Sequence, residues 1–188
     1  MTNVQMEISS ESEVANEATC RNTGIHHVGL HATNPVASAE FYRDVLGMEI
    51  VGGSAPDHPL GASAFLSSRP NEESHEVALF ANPAFAHIAF KVSSLAEFRS
   101  FHARVVEKNI PIKSAFNHRV SFAFYFDDPD GNMIEVYWPT GDLRWRQPQA
   151  ESLDLSQPDA VLLQQLTTKT PTDPHTIPTN PDNFITLR

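Results

Sequence analysis

Residues 24–140 repeat themselves, and this constrains the fold more than any local propensity. Sliding the sequence by 60 residues without a gap sets His27 on His87, Val28 on Ile88, Gly29 on Ala89 and Leu30 on Phe90. It also sets Phe41 on Phe101, Val45 on Val105, Leu46 on Val106 and Ile50 on Ile110. A repeat of this kind dictates architecture. Two copies are too few for a solenoid, so the chain should build a pseudo-symmetric pair of like modules, 24–82 and 84–140.

Each copy opens with a short strand, IHHVGLHA (25–32) and AHIAFKV (86–92). A helix comes next. In the first copy Asn34 suits the N-cap, Pro35 the first helical position and Gly47 the C-terminal stop. Val36, Ala39, Phe41, Val45 and Leu46 are read as its apolar stripe. In the second copy Ser93 or Ser94 can cap, and Leu95, Phe98, Phe101, Val105 and Val106 keep helical spacing. Three strands complete each copy, near 48–53, 62–67 and 76–81, then near 111–114, 120–126 and 133–138. Turn-forming residues separate them, most plainly DDPDGN (127–132). Each module is thus β-α-β-β-β.

Side chains alternate along a strand. His27, Gly29 and His31 share one face; Val28, Leu30 and Ala32 share the other, which should meet the helix. Alternation sends His26 to the helix side. In the second copy His87, Ala89 and Lys91 face away from the helix. The two repeat-related histidines therefore occupy equivalent open faces, each succeeded two residues on by a small residue that leaves room for a ligand. On the last strand, NMIEVYW (132–138), Met133, Glu135 and Tyr137 share a face. A carboxylate among such apolar neighbours is costly unless paired or bound to a metal; the other reading is a rim residue paired with Arg or Lys. Two histidines and one carboxylate with open positions form the ligand set of non-heme Fe(II) oxygenases. His27, His87 and Glu135 are accordingly the candidate metal ligands.

Thirteen basic and 23 acidic residues give a net charge of −10, which offers no electrostatic footprint for nucleic acid or an anionic membrane. No apolar run is long enough to span a bilayer and the first residues lack a signal-peptide layout, so a cytoplasmic location is expected. Cys20 is alone, which excludes a disulfide framework. Residues 1–22 are polar and acidic and read as a disordered arm. The segment 141–188 reads as an extension. Its part 141–167 holds a short helix around Pro158–Leu166 and could shield the cup or contact a partner; a Thr- and Pro-rich tail follows, in which His175 is inert. His31, His58 and His102 read as structural or solvated, and Lys91 as ending a strand at the water line.

Three stretches, HHVGLHATNPVASAEFYRDVLGMEI, HIAFKV and VSFAFYFDDPDGNMIEVYW, together resemble the vicinal oxygen chelate superfamily. They run through nearly two-thirds of the chain, and FYRDVLG with DPDGN-x-IE makes the combination specific. The resemblance implies an α+β fold in which two βαβββ modules form an eight-stranded cupped open barrel around a metal, spanning 23–140. It places the ligands at His27, His87 and Glu135. Where glyoxalase I-like members carry a fourth, carboxylate ligand, this chain has Ala78. The resemblance is nearest to type I extradiol, catechol 2,3-dioxygenase-like members. On that likeness His75, His118 and Tyr125 are candidate catalytic residues. His75 falls on the face opposite Ala78 unless it precedes the strand. IKSAF before His118 lacks the Gly-Pro-Gly-Arg type lead-in, and the extra N-terminal domain of the larger enzymes is missing.

The implied activity is Fe(II)-dependent cleavage of a small aromatic diol with O2, with Mn, Zn, Ni or Co as other metals that fit the ligand set. A homodimer is the implied assembly. The same fold also serves glyoxalase-like metal-dependent lyases or isomerases and metal-free drug-binding proteins.

Overall fold

The structure is a computed structural model, and it describes residues 21–171. The N-terminal arm up to residue 20, with Cys20, and the tail from residue 172, with His175, lie outside the described residues.

The first module runs β1 (Ile25–His31), α1 (Pro35–Leu46), β2 (Glu49–Ser54), β3 (Ser63–Ser67) and β4 (Val77–Phe80). A 3-10 turn at Pro83–Phe85 leads into the second: β5 (His87–Lys91), α2 (Leu95–Glu107), β6 (Ser114–Asn117), β7 (Ser121–Asp127) and β8 (Met133–Pro139). The strands form one curled sheet in the order β2-β3-β4-β1-β5-β8-β7-β6. Within each module the first and last strands pair in parallel, β1 with β4 and β5 with β8. The modules meet where β1 and β5 pair antiparallel, with Gly29 opposite His87 and His27 opposite Ala89.

A ninth strand, β9 (Glu151–Ser152), adds to the eight expected and extends the β6 edge. β6 starts at Ser114, later than the sequence suggested. Pro111 has no amide to give a ladder, and the pairing begins at Ser114 opposite Tyr125. Helix α3 (Asp159–Thr167) lies beyond β9 in the chain. Its Leu162 is buried in one core cluster with Phe98, Val105, Phe122, Phe124, Leu153 and Leu155.

The helix ends match their residues. Asn34 Oδ1 accepts from the Ala37 amide, and Gly47 takes the left-handed φ of 69° at the C-cap of α1. Ser94 Oγ caps α2 through the Glu97 amide. Of the expected apolar stripe of α1, however, only Ala39 faces the sheet. Val36, Phe41, Val45 and Leu46 are 49–61% exposed, whereas Pro35 and Ala39 are buried and Tyr42 packs beside them. Phe41 stands two residues, about 200°, around the helix from Ala39, while positions 35, 39 and 42 form the true inner face. Val106 of α2 is likewise exposed. Leu30 and Ile88 are more than one-third exposed because α1 lies over β2–β4 and α2 over β8, leaving the β1–β5 seam uncovered. Among the described residues no helix is long and apolar enough to cross a membrane.

Candidate metal centre

His27, His87 and Glu135 converge on the concave side of the sheet. Strands β1, β5 and β8 carry them, and the registers bring them together. His27 lies opposite Ala89, and Ala89 lies beside Glu135. His27 Nε2 is 3.0 Å from His87 Nε2 and 3.2 Å from Glu135 Oε2, and His87 Nε2 is 3.0 Å from the same oxygen. All three side chains are nearly or wholly buried. Two ligands at right angles and about 2.1 Å from one ion stand about 3.0 Å apart, so the triangle has the dimensions of a coordination face. Glu135 Oε2 is buried without a hydrogen-bond partner among the described residues. Its ion-pair partners are the two histidines and not an Arg or Lys, which removes the rim-residue reading. The donor set fits a divalent cation.

The electrostatics agree. Burial pushes the His27 imidazole down to about 4, so it is neutral at pH 7. Burial opposes ionisation of Glu135, but the adjoining His27 and His87 imidazoles outweigh it and hold the carboxyl well below its usual range. For His87 burial acts downward, while Glu135 and the Phe85 carbonyl raise it on balance. Its Nδ1 donates to Phe85 O at 2.7 Å, which leaves Nε2 for the centre.

The room expected beyond the histidines is put to another use. A Cβ at Gly29 would come within 2.4 Å of His87 Nδ1, so the missing side chain is what lets that ring lie across β1.

A cavity of about 330 Å³ opens over the centre. Phe65, Phe80, Phe85, Phe116, Met133 and Pro148 supply much of its apolar wall. Ala78, buried completely, lines it where a fourth ligand would stand. His75, His118 and Tyr125 line it too. His75 precedes β4, so strand alternation does not govern it. It is buried, with its ring centroid 4.2 Å from that of His27. Burial, reinforced by His27 and His26, keeps it well below the usual imidazole range. Its Nδ1 meets Ser74 Oγ at 3.0 Å, and that hydroxyl meets Tyr137 Oη at 3.2 Å. His118 donates through Nδ1 to Gln149 O, and its Nε2 is 2.9 Å from Tyr125 Oη. Burial first, and then the Glu135 charge, push the Tyr125 phenol well up.

Two contributors were not legible in the sequence. The first is His26. The β1–β5 pairing carries a bulge between Ile25 and His27, so alternation fails and His26 turns inward rather than to the helix side. It contacts His27 and Glu73 and stacks on Tyr137 with centroids 4.1 Å apart. Lys91, expected at the water line, pairs with Glu73 at 2.8 Å. The second is the strap 147–150, which closes one side of the cavity. Gln147 O accepts from the Gly53 amide of β2 and its Nε2 donates to His118 O, so it ties the two far edges of the sheet together. Gly52 permits this, since a Cβ there would lie 2.6 Å from Gln147 O. Buried Arg119 anchors the chain between the strap and α3, donating to both Glu151 oxygens and to Gln165 O.

A family model described as the Glyoxalase/Bleomycin resistance protein/Dioxygenase superfamily matches residues 24–136. Biphenyl-2,3-diol 1,2-dioxygenase 3 of Rhodococcus globerulus is 31% identical over 122 residues, which make up 58% of this chain and 60% of that protein. Metallothiol transferase FosB of Staphylococcus epidermidis is 30% identical over 127 residues, covering 65% of this chain and 87% of that one. The 2,2',3-trihydroxybiphenyl 1,2-dioxygenase of Sphingomonas wittichii strain RW1 shares the fold at a TM-score of 0.56 and 20% identity, over 69% of this chain and 50% of that chain. The chain thus spans between half and 60% of the length of these two dioxygenases.

Proposed function

Because the chain belongs to the Glyoxalase/Bleomycin resistance protein/Dioxygenase superfamily, we propose that it is an Fe(II)-dependent extradiol dioxygenase that opens a catechol-type ring with O2. The observation that carries this reading is a three-donor face, His27, His87 and Glu135, with Ala78 in place of a fourth ligand and a mostly apolar cavity directly above. Fe(II) bound there would supply a template for diol and dioxygen and a path for electrons between them.

The chain's own residues handle binding and protons. The apolar wall takes the ring and excludes water. His118, with its Nδ1 proton committed to Gln149 O, presents a bare Nε2 to the Tyr125 hydroxyl. Tyr125 can therefore accept a proton from a substrate hydroxyl while passing its own to His118. The resulting imidazolium keeps both N–H groups satisfied. On the other side Ser74 Oγ joins Tyr137 Oη to His75 Nδ1; when Tyr137 donates to Ser74 and Ser74 to Nδ1, neutral His75 carries its proton on Nε2, positioned to protonate an oxygen of the opening ring.

Anaerobic loading with Fe(II), then catechols in air, should give a yellow ring-opened semialdehyde that retains both atoms of labelled O2. His27→Ala and Glu135→Ala should abolish both iron retention and colour. The greater coverage of the metallothiol transferase supports a second reading, thiol transfer at the same centre. No colour across a broad diol panel, with metal-dependent consumption of a thiol, would replace the first reading with the second. Ligand binding that survives His27→Ala would remove both.

A further inference from the structure

We infer that His26 and Glu73 are positioning residues of the metal centre, forming a carboxylate–imidazole–imidazole relay that fixes His27 as an Nε2 ligand. This inference rests on the metal-centre reading, although its proton arrangement can be tested separately.

His26 Nδ1 lies 2.8 Å from His27 Nδ1, and His26 Nε2 lies 2.6 Å from Glu73 Oε2. The other Glu73 oxygen receives Lys91 Nζ at 2.8 Å. The His26 side chain is 3% exposed, and its ring is held flat against Tyr137. Two Nδ1 atoms at this distance share one proton, which leaves two arrangements of a neutral pair. If the proton sits on His26, its Nε2 is bare and faces a carboxylate oxygen at 2.6 Å with no hydrogen between them. His27 would then carry its own proton on Nε2, aimed into the centre. If the proton sits on His27, both contacts of the relay are donor–acceptor pairs. His27 donates to His26, His26 donates to Glu73, and His27 Nε2 presents its lone pair where a cation would lie. Hydrogen bonding within the relay therefore favours the ligand-ready tautomer, and a cation between His27 Nε2 and Glu135 Oε2 completes the same arrangement.

The second ligand is held differently. His87 donates its Nδ1 proton to a single backbone carbonyl. The repeat makes the two histidines equivalent, and the β1 bulge makes them unequal by linking only His27, through His26, to the half-buried Glu73 carboxylate. Such a link raises ligand basicity as well as fixing the ring.

The test uses the full chain, Zn(II) and a competing chromogenic chelator, with ¹⁵N imidazole spectra of the metal-free protein. His26→Phe keeps the stack on Tyr137 but removes the acceptor, and should weaken Zn(II) binding about 10- to 100-fold. His26→Asn, whose Oδ1 can stand in for Nδ1, should recover most of that loss. Glu73→Gln should cost less than His26→Phe and nothing further when added to it. The spectra should show metal-free His27 protonated on Nδ1. Zn(II) affinity within about twofold of the parent in His26→Phe, failure of the Asn rescue, or an Nε2 proton on His27 would each overturn the relay. A parent protein that takes no Zn(II), or a His27→Ala variant that takes it normally, would instead sink the metal-centre reading, leaving the spectra to decide the relay.

Discussion

Gly29→Ala is a one-carbon change that strikes the second histidine directly. The new methyl would lie 2.4 Å from Nδ1 and 2.5 Å from Cε1 of His87. Non-bonded heavy atoms rest about 3.5 Å apart, so the ring must retreat by about 1 Å. It is pinned by the 2.7 Å bond to Phe85 O and faces Glu135 at 3.0 Å. Metal sites tolerate distance errors of about 0.2 Å, so the displaced ring loses its place in the donor triangle. The expected loss of Zn(II) affinity is about 100-fold or more, the upper end of what a lost supporting contact costs. Breaking the Phe85 bond costs about 1 kcal/mol and overpacking about 1–3 kcal/mol. The metal-free protein should therefore melt about 5–15 °C lower. Gly47→Ala is the control. Its φ of 69° makes a side chain cost about 1–2 kcal/mol, but its Cβ meets nothing within 4 Å, so metal affinity should hold. A folded Gly29→Ala protein that binds Zn(II) as tightly as the parent would refute the packing argument.

Arg119→Leu removes the charged donors that hold Glu151 and Gln165 O. Urea unfolding should show a loss of about 2–3 kcal/mol, and hydrogen exchange should quicken in 147–167; a change below about 1 kcal/mol would mean the extension is held by its apolar contacts alone. Burial, partly offset by Glu135 and the Gln149 carbonyl, lowers His118. The unfolded chain therefore binds more protons than the folded one below about pH 6.5, and stability falls as pH falls. His118→Gln should flatten the pH dependence of urea unfolding between pH 7 and 5 by at most about 1.4 kcal/mol per unit; an unchanged slope would show that His118 is not held neutral.

The two modules, the helix caps and the meeting of His27, His87 and Glu135 were legible because each has a signal in the sequence: a repeat, a capping residue, an acid among apolar neighbours. The place of His75 in the cavity wall was also legible, through family likeness, once its position ahead of β4 frees it from alternation. His26 was not. A bulge is one extra residue in a ladder, and nothing in IHHVGLH marks where it falls. The strap was hidden for a different reason. Its hydrogen bonds join Gln147 to Gly53 and to His118, and local patterning does not encode partners so far away in the chain. The α1 stripe misled because hydrophobicity marks residues that favour burial without saying which side of a helix receives the sheet.

The crossing of the histidines has a consequence for how the halves depend on each other. The His87 ring lies over Gly29 of the opposite module, and His27 pairs with Ala89 across the same seam where β1 meets β5. An ion gripped there would act as a rivet through both plates. Neither half expressed alone would own a complete grip, and removing the ion should loosen the join before it loosens either half.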